Sequence, residues 1–349
     1  MIQSTHGGNI YNNDNILYDF SANVNPLGVP ESVKKAISDN LSCIEKYPDI
    51  NCTALKKSIS LFENVSVDNI VCGNGASDLI FRTVQAIHPK KALLISPTFS
   101  EYEKALHTVG CHIDYFSLEK SNGFTITEAI VEHLTDTDIF FLCNPNNPVG
   151  NLIDKPLLHQ IIRKCHQNHT ILIVDECFLD FVKDSYQYKC DTDYDNVIIL
   201  KAFTKIFAMA GLRLGYILCK DRNLCTAIEN TGQCWSVSAI AQLAGVYALK
   251  EKDFIHKSVE YVEKQRNFLI QNLQKYNFSV FPPSANFIFF QCDLPLDTLL
   301  LQHGILIRNC NNYRNLSDGY FRIAVRTEKE NQFFIHTLER TIRQWQNQL

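Results

Sequence analysis

"DIFFLCNPNNPVGNLIDKPLLHQIIRKCHQNHTILIVDECF", residues 138–178, sets two apolar runs on either side of a segment with helical spacing. The runs "DIFFLC" and "TILIVD" show no alternation of apolar and polar positions, so each expects cover on both faces. Between them, "KPLLHQIIRKCHQN" repeats its apolar residues at three- and four-residue steps, as an amphipathic helix does. Strand, helix, strand reads as a crossover joining two parallel strands.

The same alternation begins near residue 68. "NIVCGNG" is followed by "ASDLIFRTVQAI", and "KALLISP" by "TFSEYEKALHTVG"; "NVIILKAF" comes last. This predicts an α/β fold with a mostly parallel sheet covered by helices. The final third differs: a helical stretch over 236–275 precedes "FSVFPPSANFIFFQC", "GILIRNC" and "YFRIAVRT", which suggests a smaller α+β domain. On this reading the large domain takes 31–235, and the small one combines an N-terminal arm, 1–30, with 236–349.

A composition of 46% hydrophobic and 20% charged residues is that of a globular protein. The formal charge of −4 offers no basic footprint for nucleic acid. No run reaches the eighteen or so apolar residues of a membrane span. "MIQSTHGGNIYNND" at the N-terminus has neither the basic nor the apolar region of a signal peptide. Thirteen scattered cysteines, without C-x-x-C pairs, fit reduced buried thiols better than disulfides or a zinc site. A cytoplasmic protein is expected.

Parallel sheets bind ligands at the carboxyl ends of their strands, and there the polar chemistry collects. "GNGAS" (73–77) is a glycine-rich turn opening a helix, whose amides, with Ser77, can hold a phosphate. It lacks the later residues of a P-loop or a dinucleotide fingerprint. "PTF" (97–99) brings an aromatic to the next strand end, and "NPNNPVG" (144–150) brings side-chain amides. Asp175 and Glu176 end the run 171–176, but neighbours in a strand face opposite ways and do not cooperate as an acid pair. "TKIFAMAGLRLGY" (204–216) carries Lys205 and Arg213 in an otherwise uncharged stretch. A phosphate answers Ser77, Thr204 and Arg213; a cationic ring nitrogen answers Asp175; an aldehyde answers Lys205, whose apolar, cation-flanked setting suits a Schiff-base amine. One ligand has all three parts: pyridoxal 5′-phosphate.

In that order of motifs, over nearly its whole length, the chain resembles fold-type I pyridoxal-phosphate enzymes of the class I/II aminotransferase group. The resemblance implies that Lys205 binds the cofactor aldehyde and Asp175 pairs with the ring nitrogen. It also implies that Asn147 bonds the phenolic oxygen, that Phe99 stacks on the ring, and that the Ala76 amide joins Ser77, Thr204 and Arg213 at the phosphate. Tyr47, in "KYPD", matches a tyrosine lent to the neighbouring subunit's cofactor, which implies a homodimer. Arg322, in "YFRIAVRT", matches the arginine that grips a substrate α-carboxylate. Within the group the chain is similar to histidinol-phosphate aminotransferases. It is more similar to L-threonine-O-3-phosphate decarboxylases of cobalamin synthesis, through "HGGNIY" (6–11), "DFSANVNPLG" (19–28), "PTFSEYEKAL" (97–106), "GILIRNCNNYRNL" (304–316) and "RIAVRT" (322–327).

Two positions depart from that pattern. Ala202 stands where many relatives place a hydroxyl on the cofactor phosphate. Phe178 stands where histidinol-phosphate enzymes have a tyrosine, leaving Asn147 alone on the phenolic oxygen; simple aromatic packing also explains it. A phosphorylated amino-acid substrate needs a second anion site, for which Arg326 and Arg308 are the candidates, with His6 as a third. Arg308 and Arg314 equally read as solvated surface charges.

Overall fold

The computed structural model of the chain describes residues 6–11, 15–190 and 193–347. A first short strand, β1 (Tyr18–Asp19), lies apart from the main sheet. That sheet has seven strands: β2 (Ile70–Gly73), β3 (Lys91–Ser96), β4 (His112–Ser117), β5 (Ile139–Cys143), β6 (Ile171–Asp175), β7 (Val197–Ala202) and β8 (Gly215–Cys219). Their spatial order is β2–β8–β7–β6–β5–β3–β4. The double cover anticipated for the apolar runs is visible in how alternate residues part: Phe140, Leu142, Leu172 and Val174 enter one buried cluster, while Ile139, Phe141, Cys143 and Ile173 enter the other. The helix Lys155–Gln167 makes the β5–β6 crossover.

One strand breaks the parallel rule. Only residues 203–214 separate β7 from β8, too few for a helical crossover, so β8 returns antiparallel to β7 and to β2. Lys205 leaves the end of β7 and Arg213 leads into the start of β8. The reversal therefore puts both charges on the same sheet edge. In register, Cys143 faces Asp175 and Asp175 faces Leu200, so the chain after β5, β6 and β7 emerges at one level.

A second, antiparallel sheet has the order β12–β13–β10–β9, built from β9 (Ser279–Phe281), β10 (Phe287–Gln291), β12 (Arg308–Asn309) and β13 (Tyr320–Ala324). The N-terminal segment is tied to this region: β1 pairs in parallel with β11 (Ile305–Leu306), and Ala324 N donates to Phe20 O. The helical stretch expected over 236–275 is two helices, Ala239–Ala248 and Lys252–Gln274. The charged run "KEKD" (250–253) interrupts the apolar stripe where they part.

Behind the main sheet lies a buried ion network. Lys201 Nζ stands 3.0 Å from Glu63 Oε1 and 3.2 Å from Asp180 Oδ1, and Tyr216 Oη donates to Glu63 at 2.6 Å. Burial alone would raise Glu63, but Lys201 and Lys189 hold it at about 2. Glu176, turned to this side and away from Asp175, is pushed up to about 7 by burial, despite the nearby Lys201 and the Cys190 N–H that it accepts. The folded state thus holds a proton there that the unfolded chain releases above its ordinary 4.5. Stability from this group is present below pH 4.5 and lost as pH rises towards 7. Glu176→Gln keeps the acceptor for Cys190 and removes the penalty. It should stabilise the protein at pH 8 by about 1–3 kcal/mol and have little effect at pH 4.5, as compared by thermal melts at the two pH values.

Candidate active site

The strand ends and the second sheet enclose a cleft of about 360 Å³, within the ordinary range for a small-molecule site. At one corner the turn after β2 opens the helix Ala76–Ile87. Gly75 has φ +85°, and a Cβ there would lie 2.7 Å from Arg213 Nη2. The missing side chain is what lets the guanidinium lie against the turn. Helix-terminal amides, Ser77, Thr204 and Arg213 line this corner together, a donor set with no acid among them, which suits a phosphate dianion. Asp78, the acid in the helix's first turn, is engaged elsewhere, by Asn74 N at 2.9 Å and by Arg82. Ala202 lines the cleft and adds no hydroxyl. Gly75→Ala should strain the turn, displace Arg213 and weaken pyridoxal-phosphate uptake by apoprotein at least about tenfold with the fold intact, as read by absorbance titration.

Deeper in, the end of β6 presents Asp175. Its Oδ1 accepts from Cys177 N at 2.9 Å and its Oδ2 from Tyr102 Oη at 2.6 Å. Each oxygen keeps a lone pair free for a ring N–H. Tyr102 is wholly buried, and burial with the Asp175 charge raises its hydroxyl well above its ordinary value. Phe99 meets Tyr102 edge to face at 5.5 Å. Lys205 Nζ lies 5.5 Å from the centre of the Phe178 ring, which itself packs edge-on against Phe287. Burial lowers the Lys205 amine to about 8, and Arg322 and Arg213 push it the same way.

Arg322 reaches the cleft from β13. Its Nη1 donates to Asn147 Oδ1, which Tyr313 Oη also approaches at 3.4 Å, and its Nη2 donates to Ser21 O at 2.9 Å. Arg308 faces Arg322 directly across the β12–β13 pair. Like charges so placed are destabilising unless an anion or a local acceptor relieves them. Arg308 Nη2 donates to Asn312 Oδ1 at 2.7 Å, and its guanidinium lies 5.3 Å from the Tyr313 ring centre. The N-terminal arm closes over this end. His6 Nε2 is 2.7 Å from Glu101 Oε1, which Lys104 also meets at 2.6 Å; together they hold Glu101 at about 2. Gly8 N donates to Ser21 Oγ, and a Cβ on Gly7 would come 2.1 Å from Ser21 O, the carbonyl that steadies Arg322. Among the described residues, two buried atoms lining the cleft have no hydrogen-bond partner, Asn23 Oδ1 and Arg322 Nε. One waits for a donor and the other for an acceptor.

The cleft brings together Ala76, Ser77, Phe99, Asn147, Asp175, Phe178, Thr204, Lys205, Arg213, Arg308, Arg322 and His6. Arg326 requires correction as a candidate for the substrate's phosphate. It lines a different groove, and its Nη2 pairs with Glu330 at 2.9 Å. Strand β13 ends at Ala324, and the chain turns into the Thr327–Glu330 capping box of the last helix, carrying Arg326 out of the Arg322 row. Arg314 is a surface charge paired with Glu103. Tyr47 stands outside this chain's cleft, 81% exposed and packed on Trp235. Sequence reasoning missed Tyr102, Glu101, Tyr313 and the Ser21 carbonyl. Only Tyr102 and Glu101 carried a signal, by sitting in the helical turn just after Phe99.

Comparison with known proteins agrees with this geometry. The family model for aminotransferase class I and II matches residues 15–338. The threonine-phosphate decarboxylase of Salmonella typhimurium is 36% identical, with 98% of each chain covered. A crystal structure of the histidinol-phosphate aminotransferase from Clostridium acetobutylicum superposes with a TM-score of 0.87 at 30% identity, covering 95% of this chain and 99% of that one. That from Sinorhizobium meliloti, solved in complex with pyridoxal 5′-phosphate, gives 0.83 at 20% identity, covering 95% and 92%. The chain belongs to the aminotransferase class I and II family, and the cofactor its cleft is built to hold is pyridoxal 5′-phosphate.

Proposed function

We propose that the protein decarboxylates L-threonine O-3-phosphate to (R)-1-aminopropan-2-yl phosphate, the cobalamin side-chain precursor. The observation that carries this reading is the second cationic end of the cleft, where Arg308 stands opposite Arg322 with His6 nearby, apart from the phosphate corner at Arg213. A substrate with both a carboxylate and a phosphate meets both arginines. The similarity to the Salmonella decarboxylase supports the same choice.

Held by Lys205, Asp175 and the phosphate corner, pyridoxal 5′-phosphate would supply an electron sink for one bond at the substrate's Cα. The chain's task is to choose that bond. Arg322, already held by Asn147 and Ser21, takes the α-carboxylate, and Arg308 with His6 takes the substrate's phosphate. Two fixed anions restrain rotation at Cα so that the bond to the carboxylate is presented. Loss of the carboxylate as carbon dioxide leaves the bonding pair at Cα, which a proton must take up; Lys205, its amine freed once the substrate's amine has replaced it at the aldehyde, would be the acid the cleft offers for that transfer. Serine phosphate, one methyl smaller, would be discriminated by only about 1–3 kcal/mol.

The active unit in this reading is a homodimer working in the cytoplasm. Leu41, Ile44, Tyr47, Ile50 and Trp235 are large exposed apolar side chains that a second copy would cover, with Tyr47 reaching the partner's cofactor. No helix among the described residues is long and apolar enough to cross a membrane.

The test is carbon dioxide release from L-threonine O-3-phosphate by the cofactor-loaded protein without any keto acid. Steady multiple turnovers are expected. Silence in that assay, together with conversion of the cofactor to its pyridoxamine form by histidinol phosphate, would make the protein an aminotransferase instead.

A further inference from the structure

We propose that Tyr102 is a positioning residue for the cofactor's ring nitrogen: its hydroxyl holds and aims the Asp175 carboxylate, while its ring braces Phe99 on the cofactor's face. The inference depends on pyridoxal 5′-phosphate as cofactor and holds for decarboxylation and transamination alike.

Asp175 must present an acceptor to the ring N–H in a fixed direction, and it is buried at the end of β6. Hydrogen bonds from the chain fix that direction. The Cys177 amide is fixed by the backbone, so Oδ1 is held by the chain itself. Oδ2 accepts from the Tyr102 hydroxyl at 2.6 Å, and the Cys177 thiol is a further, weaker donor beside the carboxylate. The neighbouring Cys143 thiol is turned to Pro145 O and does not substitute for it.

Tyr102 is placed to do this without moving. It lies in the helix Glu101–His107, three residues after Phe99, so one turn of chain sets both rings. Its ring stacks on Phe141 of β5 at 4.8 Å and 15°, and meets Phe99 edge-on. The contact that aims the carboxylate and the contact that supports the stacking phenylalanine therefore belong to one buried side chain.

The two roles separate by substitution. Tyr102→Phe removes the hydroxyl and keeps the brace; Tyr102→Leu removes both. Holoprotein reconstituted with ring-15N pyridoxal 5′-phosphate reports the protonation of the nitrogen directly. A carboxylate that loses a donor gains proton affinity and draws the shared proton towards itself. In Tyr102→Phe the 15N resonance should move towards the unprotonated position, and cofactor binding should weaken about tenfold. The circular dichroism of the cofactor band, which reports ring orientation, should persist there and collapse in Tyr102→Leu. In an Asp175→Asn background, Tyr102→Phe should leave the 15N resonance where Asp175→Asn alone puts it. A wild-type 15N resonance and wild-type affinity in Tyr102→Phe would overturn the proposal, leaving the hydroxyl as a satisfied core group. A measurement without mutation stands beside these. In wild-type holoprotein the Tyr102 hydroxyl proton should be far downfield and slow to exchange, and its absence would equally overturn the assignment.

Discussion

Lys205→Ala should abolish turnover, by on the order of 10⁴-fold or more, since the proposed function gives Lys205 both the covalent bond to the cofactor and the acid–base role. The amine must be neutral to attack an aldehyde. Burial, Arg322 and Arg213 lower it to about 8, so about half is neutral at pH 8, where an unperturbed lysine would be well under 1% neutral. Uptake of the cofactor by wild-type apoprotein should therefore rise as pH increases through about 8 and level off above it. In the alanine variant the absorbance of bound cofactor should match that of the free aldehyde at every pH. The fold should survive, because among the described residues the Lys205 amine makes no ion pair, and its loss removes repulsion from Arg322 and Arg213. Multiple turnovers by Lys205→Ala would show that another amine carries the chemistry.

Asp175→Ala should lower kcat/KM by about 10²–10³-fold, the scale of breaking one side of a buried charge pair, yet leave Lys205 able to bind the cofactor. The signature is thus the reverse of the lysine variant: covalent attachment persists while catalysis fails. The Tyr102 hydroxyl and the Cys177 amide would also lose their acceptor, so a fall in melting temperature should accompany the kinetic loss. Single-turnover kinetics with an absorbance readout tests both parts. An Asp175→Ala enzyme of near wild-type kcat/KM would place the control of the ring nitrogen elsewhere.

Most of the cleft was legible because its chemistry is local to strand ends. Ser77, Asn147, Asp175, Lys205 and Arg213 each lie at or just beyond the end of an apolar run or at the start of the returning strand, and a parallel sheet collects such positions at one edge. The second sheet was harder. Arg322 and Arg326 look equivalent in "RIAVRT" by a period of two, but β13 ends between them and Glu330 takes Arg326. Tyr102 had only its place one turn after Phe99 to mark it, since its spacing in the helix is also that of an apolar core position. The carbonyl of Ser21, which steadies Arg322, has no signature at all, because any residue supplies one. The edge strand β4 hides in "HIDYFS", where its half-exposed alternation resembles a polar loop. The antiparallel β8 was recoverable by counting, since the span 203–214 leaves no room for a crossover.

That short return has a consequence for how the chain tolerates changes of length. Loops between helices and strands elsewhere in an α/β sheet can grow at small entropic cost. Between Lys205 and Arg213 each added residue would change the separation of two groups that, in the proposed function, reach opposite ends of one rigid molecule, the aldehyde and the phosphate. The span acts as a built-in ruler, calibrated to the cofactor. Insertions should be accepted around Thr135 and Asp136, exposed residues that lead into the N-terminal end of β5, and rejected between 206 and 212, although neither segment is sheet.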